Sequence, residues 1–351
     1  MHAIAKNILQ GQDLPLWRKT AAFNEQAFLL LPFVFRSVYL YFLFKGDSVM
    51  SLLVVGSVAF DTVETPFGRA EDVLGGSATY FSTSASFFTD VKLVAVVGMD
   101  FPEKHIEFLK QRKIDITGLQ RAKGKTFRWE GKYDFDLNNA KTLDTQLNVF
   151  ASFNPHIPKE YRDTDYVFLA NIDPELQLEV LKQIKEPKLV ACDTMNFWIQ
   201  RKPDELKKTI RHVDILTINE AEARELAQEV NLVKAAKAIM SYGPKTIIVK
   251  RGEYGAIMFS DHSIFSAPAY PLEMVFDPTG AGDSFAGGFM GYLSKIDGMS
   301  DKNIRQAIIM GSVMASFDVE DFSLNRMKKL THHDIEKRFM EFKHLTIFET
   351  I

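Results

Sequence analysis

The sequence predicts an α/β protein: a doubly wound, mostly parallel sheet flanked by helices, with a small β lid. Three observations predict it. From Met50 onward, short β-branched runs alternate with longer amphipathic stretches. The short runs are nearly continuous in apolar residues, as strands covered on both faces must be, and βα alternation implies parallel strands. Near residue 280 a glycine-rich turn opens a helix, the kind of feature that binds ligands at the carboxyl edge of such a sheet.

Residues 1–49 stand apart from this pattern. Ala27–Phe44 is an 18-residue apolar run, of borderline length for a membrane span, but Pro32 and Arg36 interrupt it. Met50 is followed at once by a β-rich run, so the first 49 residues read as an upstream extension outside the mature protein rather than as a membrane anchor. The remainder, 50–351, reads as one domain. Leu52–Val58 is the first strand; Thr62–Leu74 is too polar for a central sheet and suits a lid; Ser77–Phe88 is helical. Lys92–Val97 and the helix Glu103–Arg112 follow, then a second polar β region, Thr126–Val149. The alternation resumes with strands Tyr166–Ala170, Lys188–Cys192, Asp214–Ile218 and Thr246–Lys250. Helices Pro174–Ile184, Pro203–Ile210, Glu220–Gln228 and Leu232–Tyr242 lie between them. The C-terminal third turns helical over Thr279–Lys295, Asp301–Asp318 and His332–Phe342, where His332 and His333 only start a helix.

Composition narrows the function classes. The 351 residues are 46% hydrophobic and 25% charged, ordinary for a folded enzyme. The net charge of −3 leaves no basic excess for a nucleic acid. Cys192 is alone, which rules out an internal disulfide and cysteine-based zinc sites and suits the cytoplasm.

The chemistry concentrates in Asp277-Pro-Thr-Gly-Ala-Gly-Asp283-Ser284. Free backbone N–H groups and the positive end of the following helix favour an anion there, and Gly280 and Gly282 let a phosphate approach. Asp283 would repel that phosphate unless it has a task, and accepting a proton from an attacking hydroxyl is such a task. The chain has no GxxxxGK[ST] loop, HExxH or GxSxG, and Phe285 breaks a dinucleotide fingerprint.

DPTGAGDSFAGGF resembles the C-terminal motif of the PfkB, or ribokinase-like, carbohydrate and nucleoside kinases, and the likeness runs from about Met50 to the end. Other matches follow in order. Gly56-Ser57 with Asp61 resembles the first strand, whose Asp binds substrate hydroxyls, and Gly75-Gly76 resembles the double glycine beside the substrate. Asn219 and Glu222 resemble the NxxE motif that organises magnesium through water. Lys250 and Gly252 stand in the place of a nucleotide-contacting TxG, and GSVMASF from Gly311 lies where the adenine-side helix runs. The resemblance implies a ribokinase-like fold and ATP-dependent transfer to a sugar hydroxyl, with ATP and Mg2+ as cofactors. Asp283 would be the base, and Gly280, Ala281 and Gly282 the anion hole, with Thr279 on the nucleotide side. It also implies K+ at Asp277 and a homodimer formed through the lid.

Two departures bear on the substrate. Tyr80 replaces an Asn that helps bind sugar hydroxyls in the family, and Lys250 replaces the usual Thr. Tyr80 and the lid aromatics Phe127, Trp129 and Tyr133 motivate a nucleoside as the alternative acceptor. Phe127 and Trp129 share one face of a strand, where they stack on substrate or pack the lid against the body. Asp193 and Asn196, after a strand, also fall at the ligand edge. A catalytically idle sugar or nucleotide sensor is the reading from another class, and an intact Asp283 argues against it.

Overall fold

A computed structural model describes residues 50–138 and 140–347; the apolar run at 27–44 lies outside the described residues. In chain order the first elements are β1 (Ser51–Val55), β2 (Ala59–Thr65), β3 (Gly68–Gly75), α1 (Ser77–Ala85) and β4 (Asp90–Gly98). Next come α2 (Glu103–Gln111), β5 (Ile114–Ala122), β6 (Phe127–Tyr133), β7 (Ala140–Gln146) and β8 (Tyr166–Leu169). The middle of the chain supplies α3 (Pro174–Leu181), β9 (Leu189–Asp193), α4 (Asn196–Arg201), α5 (Pro203–Ile210) and β10 (Ile215–Asn219). It continues through α6 (Glu220–Ala227), α7 (Leu232–Met240), β11 (Thr246–Lys250), β12 (Ala256–Ser260) and β13 (Ile264–Ala267). The chain ends in α8 (Ala281–Ile296), α9 (Asp301–Asp318), α10 (Asn325–Lys329) and α11 (His332–Thr346).

The main sheet runs β13-β12-β11-β10-β9-β8-β1-β4-β5. Pairing is parallel from β5 to β11, and β12 and β13 add an antiparallel edge. Pleating explains why both faces are apolar. Leu53 and Val55 join a core with Val180, Leu206, Ile210, Leu226 and Ile239 from α3, α5, α6 and α7. The opposite face carries α1 and α8, where Phe81 stacks on Phe168 with ring centroids 4.3 Å apart. The first strand stops at Val55, short of the predicted Val58. Gly56 has no room for a side chain, since a Cβ there would lie 2.7 Å from that of Ala170, and its amide still donates to the Val94 carbonyl at 3.2 Å.

The polar β regions form a second sheet, ordered β3-β2-β6-β7. β2 and β6 are parallel in it, while β3 and β7 are antiparallel edges. Strands β5, β12 and β13, and the short helices α4 and α10, were not among the sequence expectations. Among the described residues no helix is long and apolar enough to cross a membrane.

Candidate active site

The site is assembled where β1, β9, β10 and β11 end and α8 begins. Gly280 caps α8 with φ of 82°, in the left-handed region that glycine adopts without strain. A Cβ on Gly280 would lie 2.3 Å from the ring of Tyr80, so the turn rests directly on that ring. The positive end of α8 therefore faces the site and favours an anion there, while the Ala281 amide donates to the Pro278 carbonyl at 3.2 Å. Asp277 braces the turn: Oδ1 accepts from the Thr279 amide at 2.9 Å and Oδ2 from the Ser323 amide at 3.0 Å. The Thr279 hydroxyl donates to Tyr133 Oη at 3.3 Å, tying the turn to β6.

Asp283, in the first turn of α8, has its carboxyl pushed up to about 7, chiefly by burial and then by the charge of Asp193, with Lys250 pulling the other way. A carboxylate so placed is half ionised at neutral pH and holds a proton well, which suits a general base. Lys250 ends β11 beside Asn219 and donates to Asp193 Oδ2 at 2.8 Å. Asn219 and Glu222 form a capping box on α6, with Asn219 Oδ1 accepting from the Glu222 amide at 2.8 Å and Glu222 Oε2 from the Asn219 amide at 3.0 Å. Burial, then the nearby charge of Asp193, lifts the Glu222 carboxyl to about 7. Asn196 begins α4, its side-chain oxygen satisfied by the Phe197 amide.

On the acceptor side, Asp61 is only 4% exposed, and burial lifts its carboxyl to about 7. Its Oδ2 accepts from the Gly76 amide at 3.3 Å. A Cβ on Gly75 would stand 1.9 Å from the same oxygen, so the double glycine is the space in which this carboxylate fits. Asp61 is the register partner of Trp129 across β2 and β6, so the two side chains share one face of the small sheet. Phe127 stacks on Phe150 with centroids 5.2 Å apart, packing the sheet to the body. Tyr80 is 1% exposed, and its ring lies directly against Gly280.

A cavity of about 520 Å³ adjoins the turn. Lys250, Gly252, Ala281 and Gly282 line one part, and Ser312, Ala315 and Ser316 of α9 line another, in the segment expected on the adenine side. Two further stretches, Phe135–Asn138 between β6 and β7 and Tyr270–Leu272 before the motif, also line it. Sequence reasoning missed both; the proline-bracketed APAYP run before the motif was the one available signal for the second. Asp318, buried at the end of α9, was missed too; burial and the charge of Asp277 push its carboxyl well above the ordinary range.

The model of the pfkB family of carbohydrate kinases matches residues 51–329. The chain belongs to that family. Kinases of this family use ATP. This pfkB kinase is 32% identical over 254 residues to the cytidine kinase of Thermococcus kodakarensis, covering 70% of this chain and 90% of that protein. Its fold is similar to the crystal structure of the Methanocaldococcus jannaschii nucleoside kinase, an archaeal member of the ribokinase family, with a TM-score of 0.67 and 22% identity over 84% of this chain and all of that one. It is similar as well to the Burkholderia thailandensis nucleoside kinase in complex with inosine, with a TM-score of 0.66 and 18% identity over 83% and 97% of the two chains.

Proposed function

We propose that this kinase moves the γ-phosphoryl group of ATP to a primary hydroxyl of a nucleoside. The observation that carries the acceptor class is the pairing of Asp61 with Trp129 on one face: a carboxylate that accepts from ribose hydroxyls stands beside an aromatic surface on which a base stacks. The likeness to a cytidine kinase supports the same reading over a simple sugar acceptor.

In this reading Asp61 orients the ribose and Asp283 takes the proton of the attacking hydroxyl. The amides of Gly280, Ala281 and Gly282 stabilise charge on the phosphoryl oxygens, while Gly252, Thr279 and the α9 side of the cavity hold the nucleotide. Glu222 offers a buried, proton-hungry carboxyl suited to water-mediated magnesium, an oxygen-loving cation. Bound Mg2+ would neutralise phosphate charge. K+ suits Asp277, whose two oxygens each accept one backbone N–H and keep lone pairs for a cation. The small sheet is the proposed cover of the acceptor site. With β7 exposed along its length, it is also the proposed seam of a homodimer, and the cytoplasm is the proposed location.

The test is a magnesium-ATP screen of the full chain against cytidine, other nucleosides, pentoses and hexoses, with products detected by mass and Asp283→Ala alongside. The expected result is a nucleoside monophosphate that disappears in the variant. Preference for free ribose over every nucleoside overturns the acceptor class, and full turnover by Asp283→Ala overturns the base.

A further inference from the structure

We propose that Lys250 is a catalytic residue whose ammonium group leaves Asp193 for the transferring phosphoryl group as negative charge builds there. The inference rests on the phosphotransfer reading and adds a side-chain cation to an anion hole otherwise made of backbone amides.

The placement is unusual for a lysine. The Lys250 side chain is 18% exposed and Asp193, its partner, 6%. A Cβ on Gly282 would stand 3.0 Å from Lys250 Nζ, so the ammonium lies against the first turn of α8, one residue from Asp283. The N-terminal end of a helix is its positive end and disfavours a cation, and burial disfavours it further. Asp193, Glu222 and Asp283 outweigh both, holding the ammonium above its ordinary range. A cation held beside amides that bind an anion has a natural ligand in the anion itself. Lys250 is the only cation acting on Asp283 among the described residues, and neighbouring Arg251 is committed to Glu220. The same lysine lines the cavity assigned to the nucleotide.

The step balances without further reactants. The acceptor oxygen bonds to the γ-phosphorus and its proton passes to the Asp283 carboxylate. The bond from the γ-phosphorus to the β,γ-bridging oxygen breaks, and its electron pair stays on ADP. Lys250 remains protonated throughout and donates hydrogen bonds to the phosphoryl oxygens, most strongly when their charge is greatest.

The test compares the full-length protein with Lys250→Met, Lys250→Arg and the double variant Lys250→Met/Asp193→Asn. The double variant leaves no unpaired carboxylate where the single one does, so folding loss and loss of function separate. Affinity is measured for ADP alone and for ADP with aluminium fluoride, a planar mimic of the transferring group that needs no acceptor. Loss of Lys250 in either Met variant should leave ADP affinity within about threefold and weaken the mimic by at least about 30-fold. With ATP and cytidine, kcat should fall on the order of 10²- to 10³-fold, with Lys250→Arg recovering part of it. Equal weakening of ADP and mimic, or a double variant with wild-type kcat, overturns the proposal. Because the mimic experiment uses no acceptor, its failure counts against Lys250, whereas failure to phosphorylate cytidine while the mimic binds counts against the acceptor reading.

Discussion

Replacing Gly280 with Ala tests whether Tyr80 is the floor of the anion hole. Two costs can be worked from the geometry. An alanine at φ of 82° costs about 1 kcal/mol in the left-handed region. Its methyl would also stand 2.3 Å from the Tyr80 ring, well inside ordinary contact, and overpacking of that kind costs about 1 to 3 kcal/mol. Gly280→Ala should therefore lose roughly 2 to 4 kcal/mol in urea unfolding. Turnover should fall by about 100-fold, since amides displaced by an ångström no longer meet the phosphoryl oxygens. Tyr80→Leu removes the ring, and in that background Gly280→Ala should cost only its backbone share. A double-mutant cycle should thus give a coupling of about 1 to 3 kcal/mol. Equal costs in both backgrounds would refute the reasoning, because the turn would then not rest on Tyr80.

Four other outcomes follow from the same site. Asp283, Glu222 and Asp61 all have carboxyls lifted to about 7, so kcat/KM should rise with pH from roughly 6 to 8; a rate independent of pH across that range would remove Asp283 as base. A raised carboxyl contributes stability that is full below its ordinary value near 4 and lost as pH rises through about 7. Asp283→Asn should therefore unfold later than wild type at pH 8, by on the order of 1 to 3 kcal/mol, and no later at pH 4. On the acceptor side, Gly75→Ala should raise the nucleoside KM more than about tenfold with the ATP KM unchanged. Trp129→Ala should raise it by roughly 5- to 150-fold while sparing free ribose, the range expected for loss of one stacking contact.

What could be read in advance was what depends on local pattern. Apolar runs such as Leu189–Asp193 and Ile215–Asn219 announce buried parallel strands because both faces must be covered. The glycine turn before Phe285 announces a helix start because glycine and proline forbid the alternatives. The placement of the Tyr80 ring was not legible, for the complementary reason. Its position after the double glycine is a sequence property, but the direction of its ring is set by the packing of α1 against α8, to which the pattern of either helix alone is blind. The stretch Phe135–Asn138 escaped notice because a polar turn carries no periodic signal, and it reaches Gly252 only through the fold of β6 against β2.

The burial of Tyr80 bears on where selectivity comes from in the proposed reading. The Tyr80 ring is sealed beneath Gly280, and its hydroxyl is buried without a hydrogen-bond partner. In the proposed reading hydroxyl recognition falls on Asp61, and the remaining contacts fall on its neighbours across the small sheet, Trp129 first. The phosphoryl side meanwhile depends on a balance among Asp193, Lys250 and Asp283. While Lys250 stays on Asp193, both the Asp193 charge and the lift it gives Asp283 are partly offset. In the proposed mechanism Lys250 turns to the phosphoryl group, and the uncovered Asp193 then raises the proton affinity of Asp283 at the moment a proton must be accepted. On that proposal one lysine in place of a threonine couples recognition of the phosphate to basicity at the attacking hydroxyl.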